Sequence, residues 1–157
     1  MKRGKPLPRG RPLKRGKPLA RRTPLKAAPK KQAGPRQTGP DRNTVEAVYD
    51  RSGHSCECCG AGVGDRRGID HHIHHRRPRA MGGTRRKGTN SAANLLVLCP
   101  GCHESIESHR EQALLHGFLL VQTDNPALVP VLIRGDRWVH LTHDGRYSRT
   151  PAKETAS

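Results

Sequence analysis

The sequence predicts a small α+β domain in which a strand, a loop, a second strand and a helix surround a metal-binding core. Two C-x-x-C pairs, Cys56/Cys59 and Cys99/Cys102, bracket a cluster of histidines. The segments between them have apolar patterns of strand length, and the second pair opens a helical pattern. Only 3% of the 157 residues are aromatic, so the hydrophobic core is expected to be small. A small core usually needs an additional crosslink, such as a bound metal ion, for stability.

The charge of the chain predicts a polyanionic partner. Lys and Arg number 30 against 13 Asp and Glu, a formal net charge of +17. Nucleic acid is favoured over a membrane surface or a solubility tail, because no basic amphipathic helix with an aromatic face is present. Few aromatic rings are available to stack on the bases of a single strand. No apolar run is long enough to span a membrane.

The first segment, residues 1–42, is predicted to be a disordered basic arm. It holds 15 of the 30 Lys and Arg and a single acid, Asp41. Pro, Gly and like charges at this density cannot bury enough apolar surface to offset chain entropy. Arg9-Gly10-Arg11-Pro12 matches an AT-hook core, which would lay Arg9 and Arg11 in a minor groove. The alternative is non-specific neutralisation of phosphates.

The ordered domain is predicted over residues 43–147, with a core at 54–117. Asn43 and Glu46 have the spacing of a capping box, so a helix is expected over 44–52, ended by Gly53. The other expected elements are a strand over 68–75, a basic loop over 76–89, a strand over 94–99 and a helix over 102–116 ended by Gly117.

A small β extension is predicted over 118–147. Its strands are expected at 118–121, 129–133 and 138–142, the last two joined by a hairpin loop at 134–137. His140 and His143 are interpreted as strand or surface histidines. Residues 148–157 are expected to be a frayed, disordered tail.

The cysteine pairs predict a structural zinc site. No secretory signal is expected in the arm, so the compartment is expected to be intracellular and reducing, where metal explains four cysteines better than disulfides. Closed tetrahedral coordination by Cys56, Cys59, Cys99 and Cys102 would be structural, whereas Cys58 has poorer spacing and stays unliganded. The alternative is a set of four buried or unpaired thiols.

The order of the remaining residues resembles the HNH endonuclease family, in particular the small phage-encoded HNH nucleases. The resemblance covers about residues 45–145, and its core is the ββα-metal unit, also called the His-Me finger. It rests on the signature H-x-x-P…G-G…N-L-x-x-L-C-x-x-C-H, which is formed by His75, Pro78, Gly82-Gly83, Asn94-Leu95-Leu96 and Cys99-Pro100-Gly101-Cys102-His103.

The resemblance implies a role for each matched residue. His75 would be the general base, and Asn94 would hold the hairpin loop and so orient that base. His103 and His74 would bind one catalytic divalent ion, Mg²⁺, Mn²⁺ or Ni²⁺. Glu107 would share a helix face with His103 and is either a further ligand or a solvated carboxylate.

Other charged and histidine residues surround these positions. His71 and His72 have no counterpart in the family pattern and either line the site or form its rim. A basic group is expected to bind DNA phosphates without reading bases. That group consists of Arg76, Arg77, Arg79, Arg85, Arg86 and Lys87.

The resemblance favours a metal-dependent endonuclease that hydrolyses DNA phosphodiester bonds, leaving 5′-phosphate and 3′-hydroxyl ends. It further implies a phage-encoded protein in the bacterial host cytoplasm. Such a protein would either assist DNA packaging with the phage terminase as a partner, or act as a freestanding homing-type or restriction-like nuclease. The alternatives are a non-catalytic zinc-stabilised DNA-binding protein and an enzyme that acts on RNA. The sequence predicts no oligomeric state.

Overall fold

The computed structural model describes residues 39–79 and 86–152 and consists of helices and short antiparallel strands. The predicted small α+β fold is confirmed. Within these ranges, no helix has both the length and the apolar character that crossing a membrane would require. The elements are α1 (Arg42–Ser52), β1 (His72–His75), a 3₁₀ helix (Ala92–Asn94), β2 (Leu95–Leu98), α2 (Pro100–Ser108), α3 (Arg110–Leu115), β3 (Val131–Ile133), β4 (Arg137–Leu141) and β5 (Tyr147–Ser148).

Several predictions made from the sequence lie outside the described residues. They concern most of the basic arm, with Arg9 and Arg11, the loop residue Arg85, and the last five residues of the tail. The first residue of the predicted tail, Ser148, belongs to β5.

Helix α1 begins at Arg42, one residue before the predicted N-cap, Asn43. Asp41, not Asn43, is the N-cap, because its carboxylate accepts hydrogen bonds from the Thr44 N–H and hydroxyl, both at 2.8 Å. The predicted capping box is therefore wrong, and Glu46 instead pairs with Arg42 at 2.7 Å. The helix ends, as predicted, at a left-handed glycine, Gly53 (φ 60°).

Strands β1 and β2 form an antiparallel pair that carries the histidine cluster. His74 lies opposite Leu96 and His75 opposite Leu95. Strand β1 is shorter than the predicted 68–75, because residues 66–71 form a turn closed by hydrogen bonds such as Gly68 N–H to the His71 carbonyl (2.7 Å). All four residues of β2 are buried, so this strand is the centre of the core.

The predicted single helix over 102–116 is wrong, since the chain forms two helices. Helix α2 starts at Pro100, a favoured first helical residue, with Cys99 as its N-cap. It breaks at His109 (φ −113°, ψ 58°), whose Nδ1 lies 3.1 Å from the Ser105 carbonyl oxygen. Helix α3 then leads to Gly117 at φ 74°, where a Cβ would collide with the Pro130 carbonyl.

The segment after α3 is buried but is not the predicted strand. The Leu119 N–H donates to the Ala113 carbonyl (3.0 Å), and the Leu120 N–H donates to the Arg76 carbonyl (2.8 Å). Strands β3 and β4 pair around the predicted hairpin loop, and β5 pairs with β4. Phe118, Leu119 and Leu120 thus run beneath β1 rather than joining a sheet.

A buried carboxylate, Glu57, joins four parts of the fold. Its side chain is fully buried and accepts two hydrogen bonds from Arg51, at 2.9 and 3.0 Å. It also accepts the Val97 N–H at 2.7 Å and the Tyr147 hydroxyl at 2.7 Å. Burial is the largest cause of a raised pKa at Tyr147, so its hydroxyl keeps the proton that it donates. Helix α1, strand β2 and strand β5 therefore meet at one residue of the turn that carries the first cysteine pair.

Replacing Glu57 should destabilise the domain strongly. In the Glu57→Ala variant the Arg51 guanidinium stays buried without its counter-charge, so we expect a loss of about 3–5 kcal/mol in the free energy of unfolding. Urea titration at fixed metal concentration measures this loss. The matched control is Glu46→Ala, which removes the exposed pair with Arg42 and should leave the urea midpoint unchanged. Equal midpoints for the two variants would contradict the central role of Glu57.

Candidate functional site

Four thiols from two distant segments converge beside the core. The Sγ atoms of Cys56, Cys59, Cys99 and Cys102 all lie within 4.8 Å of one another. Cys59 Sγ and Cys99 Sγ are 4.0 Å apart. About 3.8 Å is expected for tetrahedral coordination with a zinc–sulfur bond of about 2.3 Å. The donor set and its spacing therefore fit a metal ion.

Local backbone geometry positions the thiols. The turn after Cys56 is closed by two hydrogen bonds, from Cys56 N–H to the Ala61 carbonyl (2.7 Å) and from Gly60 N–H to the Cys56 carbonyl (2.8 Å). The second pair is carried by the first turn of α2, where Cys99 is the N-cap. Each cysteine pair is positioned by contacts within its own segment. Packing between segments that are distant in the sequence then brings the two pairs together.

Burial opposes the ionisation of two of the four thiols. It raises the pKa of Cys56 to about 11 and raises the pKa of Cys102 as well. Several thiolates this close together need a cation to offset their charge. Cys58 is half-buried, packs against the core and lies outside the four-thiol group.

A second group of possible metal ligands lies where β1 meets α2. Donor atoms of His74, His103 and Glu107 lie within 4.8 Å of one another. His74 Nε2 is 3.0 Å from the Phe118 carbonyl oxygen, which can only accept, so Nε2 carries the proton. The lone pair of Nδ1 then faces Glu107 Oε1, 3.9 Å away. Burial lowers the pKa of His74 to about 4, which keeps the ring neutral, as a metal ligand must be.

The two histidines without a family counterpart have different surroundings. The His72 ring stacks on the His103 ring, with centroids 4.9 Å apart, so His72 lines the second group. His71 is buried, its Nδ1 lies 2.8 Å from the Gly64 carbonyl oxygen, and its ring stacks on Tyr49. His71 therefore braces the turn before β1.

His75 follows His74 on the strand and so points to the opposite side. It is half-buried, and its Nε2 lies 3.0 Å from Asn90 Oδ1. Burial lowers the pKa of His75, and the positive charges of Arg79 and Arg67 lower it further. The ring is therefore held neutral and able to accept a proton. The sequence alone does not identify Asn90 and Arg67, because neither belongs to a spaced motif.

Asn94 is fully buried and ties together the two ends of the loop between β1 and β2. Its Oδ1 accepts the Arg77 N–H at 2.7 Å, and its Nδ2 donates to the Thr89 carbonyl at 2.8 Å. Its own carbonyl accepts the Arg76 N–H at 2.9 Å. The amide thus fixes the backbone directly after His75.

Two members of the predicted phosphate-binding group are not at the surface. Arg76 is fully buried, and its guanidinium donates to backbone carbonyls, including Gly117 (2.6 Å) and Val129 (2.9 Å). Arg77 is 5% exposed and donates to the Asp124 carbonyl at 2.8 Å. The prediction that Arg76 and Arg77 bind DNA is therefore wrong, because their donors satisfy buried carbonyls. Arg79, Arg86 and Lys87 are exposed.

The fold and the two ligand groups define a small α+β domain with two candidate metal sites. A family model described as HNH endonuclease matches residues 56–109, a span that contains both ligand groups. The resemblance to this family is thereby confirmed over those residues, and the chain carries an HNH domain, a type found generally in nucleases. No match was found among curated proteins or among solved structures.

Loss of one clustered thiol should remove a bound metal ion. We expect the Cys99→Ser variant to lose about one equivalent of metal per chain and to unfold at a lower temperature, because metal binding contributes to folding. Elemental analysis of the purified protein and a thermal melt measure both effects. The matched control is Cys58→Ser, which lies outside the thiol group and should keep its metal. A Cys99→Ser protein with a full metal content would contradict the assignment.

Proposed function

We propose that this protein is a metal-dependent HNH endonuclease that hydrolyses phosphodiester bonds in DNA. The observation that carries the proposal is the convergence of His74, His103 and Glu107 donor atoms within 4.8 Å, at the residue that precedes His75 on β1. These residues fall inside the segment that matches the HNH family model. In this proposal β1, β2 and α2 form the ββα-metal unit.

The catalytic ion would be held by His74, His103 and Glu107. A set of two imidazoles and one carboxylate suits a borderline ion such as Mn²⁺ or Ni²⁺, and also accommodates Mg²⁺. When bound, the ion would polarise the scissile phosphate and offset charge on the leaving 3′ oxygen. The hydrogen bond from His74 Nε2 to the Phe118 carbonyl supports this assignment, since it presents Nδ1 to the ion.

His75 would act as the general base. With Nε2 facing Asn90, its Nδ1 is the atom that accepts a proton from the attacking water. The water oxygen forms a bond to phosphorus while the bond from phosphorus to the 3′ oxygen breaks. The 3′ oxygen then takes a proton from solvent, which leaves 5′-phosphate and 3′-hydroxyl ends. Asn94 supports this step by fixing the backbone after the base.

We also propose that the four-thiol group binds structural zinc. Four sulfur donors leave no open coordination position for a substrate, so this ion would hold the fold rather than react. It would set the distance between the first cysteine turn and α2, and thereby the position of His103. The exposed cations Arg79, Arg67, Arg86 and Lys87 would contact DNA phosphates.

A non-catalytic zinc-stabilised DNA-binding protein is the alternative function. Zinc and positive charge would suit it equally. The nuclease is favoured because a binding module has no need for a neutral buried His74 facing a second histidine and a carboxylate. A phage-encoded origin, an intracellular location and a terminase partner stay predictions from the family resemblance.

A plasmid cleavage assay tests the proposed function. Supercoiled DNA is incubated with the protein and Mg²⁺, Mn²⁺, Ni²⁺ or EDTA, with an RNA substrate in parallel. We expect cleavage of DNA that requires an added ion and falls at least about a hundredfold in His75→Ala, which lacks the base. The matched control is the exposed His109→Ala, which should cleave normally. Metal-dependent DNA binding without cleavage would favour the binding module, and cleavage that survives His75→Ala would refute the assigned base.

Exposed and buried arginines should affect DNA binding differently. Arg79→Ala should weaken binding and reduce the slope of log affinity against log salt by about one unit if it contacts one phosphate. Arg76→Ala should lower the melting temperature instead, because several buried carbonyls lose their donor. Fluorescence anisotropy over a salt series, with thermal melts, separates these effects. An unchanged salt slope in Arg79→Ala would contradict a phosphate contact.

A further inference from the structure

Asn90 contacts the ring of the proposed base directly. Its Oδ1 lies 3.0 Å from His75 Nε2, and its Nδ2 donates to the Gly39 carbonyl at 2.8 Å. The second bond fixes the orientation of the amide, because a carbonyl can accept only from the nitrogen. The oxygen must therefore face His75, and an amide oxygen only accepts. His75 consequently carries its proton on Nε2 and its lone pair on Nδ1.

The backbone around Asn90 is held independently. The preceding Thr89 carbonyl accepts from Asn94 Nδ2 at 2.8 Å, and the Thr89 hydroxyl donates to the Arg86 carbonyl at 3.0 Å. Asn90 itself is half-buried. A side chain on such a constrained turn can fix both the direction and the tautomer of the ring that it contacts.

We propose that Asn90 is a positioning residue for His75, holding Nδ1 towards the attacking water. This inference rests on the proposed nuclease function. In this proposal two asparagines position His75. Asn94 fixes the backbone that follows His75, and Asn90 fixes the orientation of its ring.

Two substitutions separate the contacts of Asn90. Asn90→Leu removes both hydrogen bonds at similar size, whereas Asn90→Asp keeps an acceptor for His75 and loses the donor to Gly39. The matched control is Asn43→Leu, an exposed asparagine on α1. All four proteins are prepared as full chains with metal, and their melting temperatures are compared.

Steady-state cleavage gives the first readout. We expect kcat to fall about 10–100-fold in Asn90→Leu with KM little changed, because a misoriented base slows the reaction without altering phosphate contacts. Asn90→Asp should recover kcat to within about threefold of the wild type, because its acceptor is retained. A wild-type kcat in Asn90→Leu, or an Asn90→Asp variant as slow as Asn90→Leu, would overturn the proposal.

The tautomer of His75 gives a second readout that needs no activity. Long-range ¹H–¹⁵N correlation spectra at alkaline pH, assigned with His75→Gln, report which ring nitrogen carries the proton. We expect Nε2–H in the wild type and in Asn90→Asp, and a mixture of tautomers in Asn90→Leu. An unchanged tautomer in Asn90→Leu would overturn the proposal even if cleavage falls. A wild type that cuts no DNA would refute the proposed function, while the spectra still decide whether Asn90 sets the ring.

Discussion

The arrangement of this domain depends on a buried ion pair between Glu57 and Arg51. The pair is costly to bury, so it persists only where every oxygen and nitrogen is satisfied. Glu57 lies between two cysteines and accepts from Val97 and Tyr147, while Arg51 also donates to the Leu95 carbonyl at 2.7 Å. These bonds hold the first cysteine turn against β2. The thiols of that turn reach the second pair only from this position.

A second buried charge, Arg76, holds the segments at 117 and 126–130 against the end of β1. Burial lowers the pKa of Arg76 to about 9. Its guanidinium donates hydrogen bonds to the carbonyls of Gly117 and of the 126–130 segment. The Arg76 carbonyl in turn accepts from Leu120. These contacts position the Phe118 carbonyl so that it can accept a hydrogen bond from His74. In a domain with so few aromatic side chains, buried charges that satisfy backbone groups take the place of a larger apolar core.

The sequence predicts the residues whose spacing follows local geometry, and it fails where partners are distant. C-x-x-C pairs and adjacent histidines carry such spacing, so both ligand groups could be named in advance. Glu57 has a partner 90 positions away in Tyr147, and Arg76 resembles any arginine of a basic loop until its carbonyl partners are known. The cap of α1 is not predicted correctly because Asp and Asn are both favourable N-cap residues, so Asp41 and Asn43 compete. The two hydrogen bonds from Thr44 to Asp41 and the Arg42–Glu46 pair favour the earlier start.

The chemistry of the site follows from the alternation of side chains along β1. Consecutive residues of a strand face opposite sides, so His74 joins His103 and Glu107 while His75 turns to Asn90. The antiparallel pairing of β1 with β2 fixes this assignment, since a slip of one residue would exchange the sides on which His74 and His75 lie. In the proposed nuclease, two adjacent and identical side chains would therefore hold different roles, His74 as a ligand and His75 as a base. Their environments differ, because the Phe118 carbonyl accepts from His74 and the Asn90 amide oxygen accepts from His75.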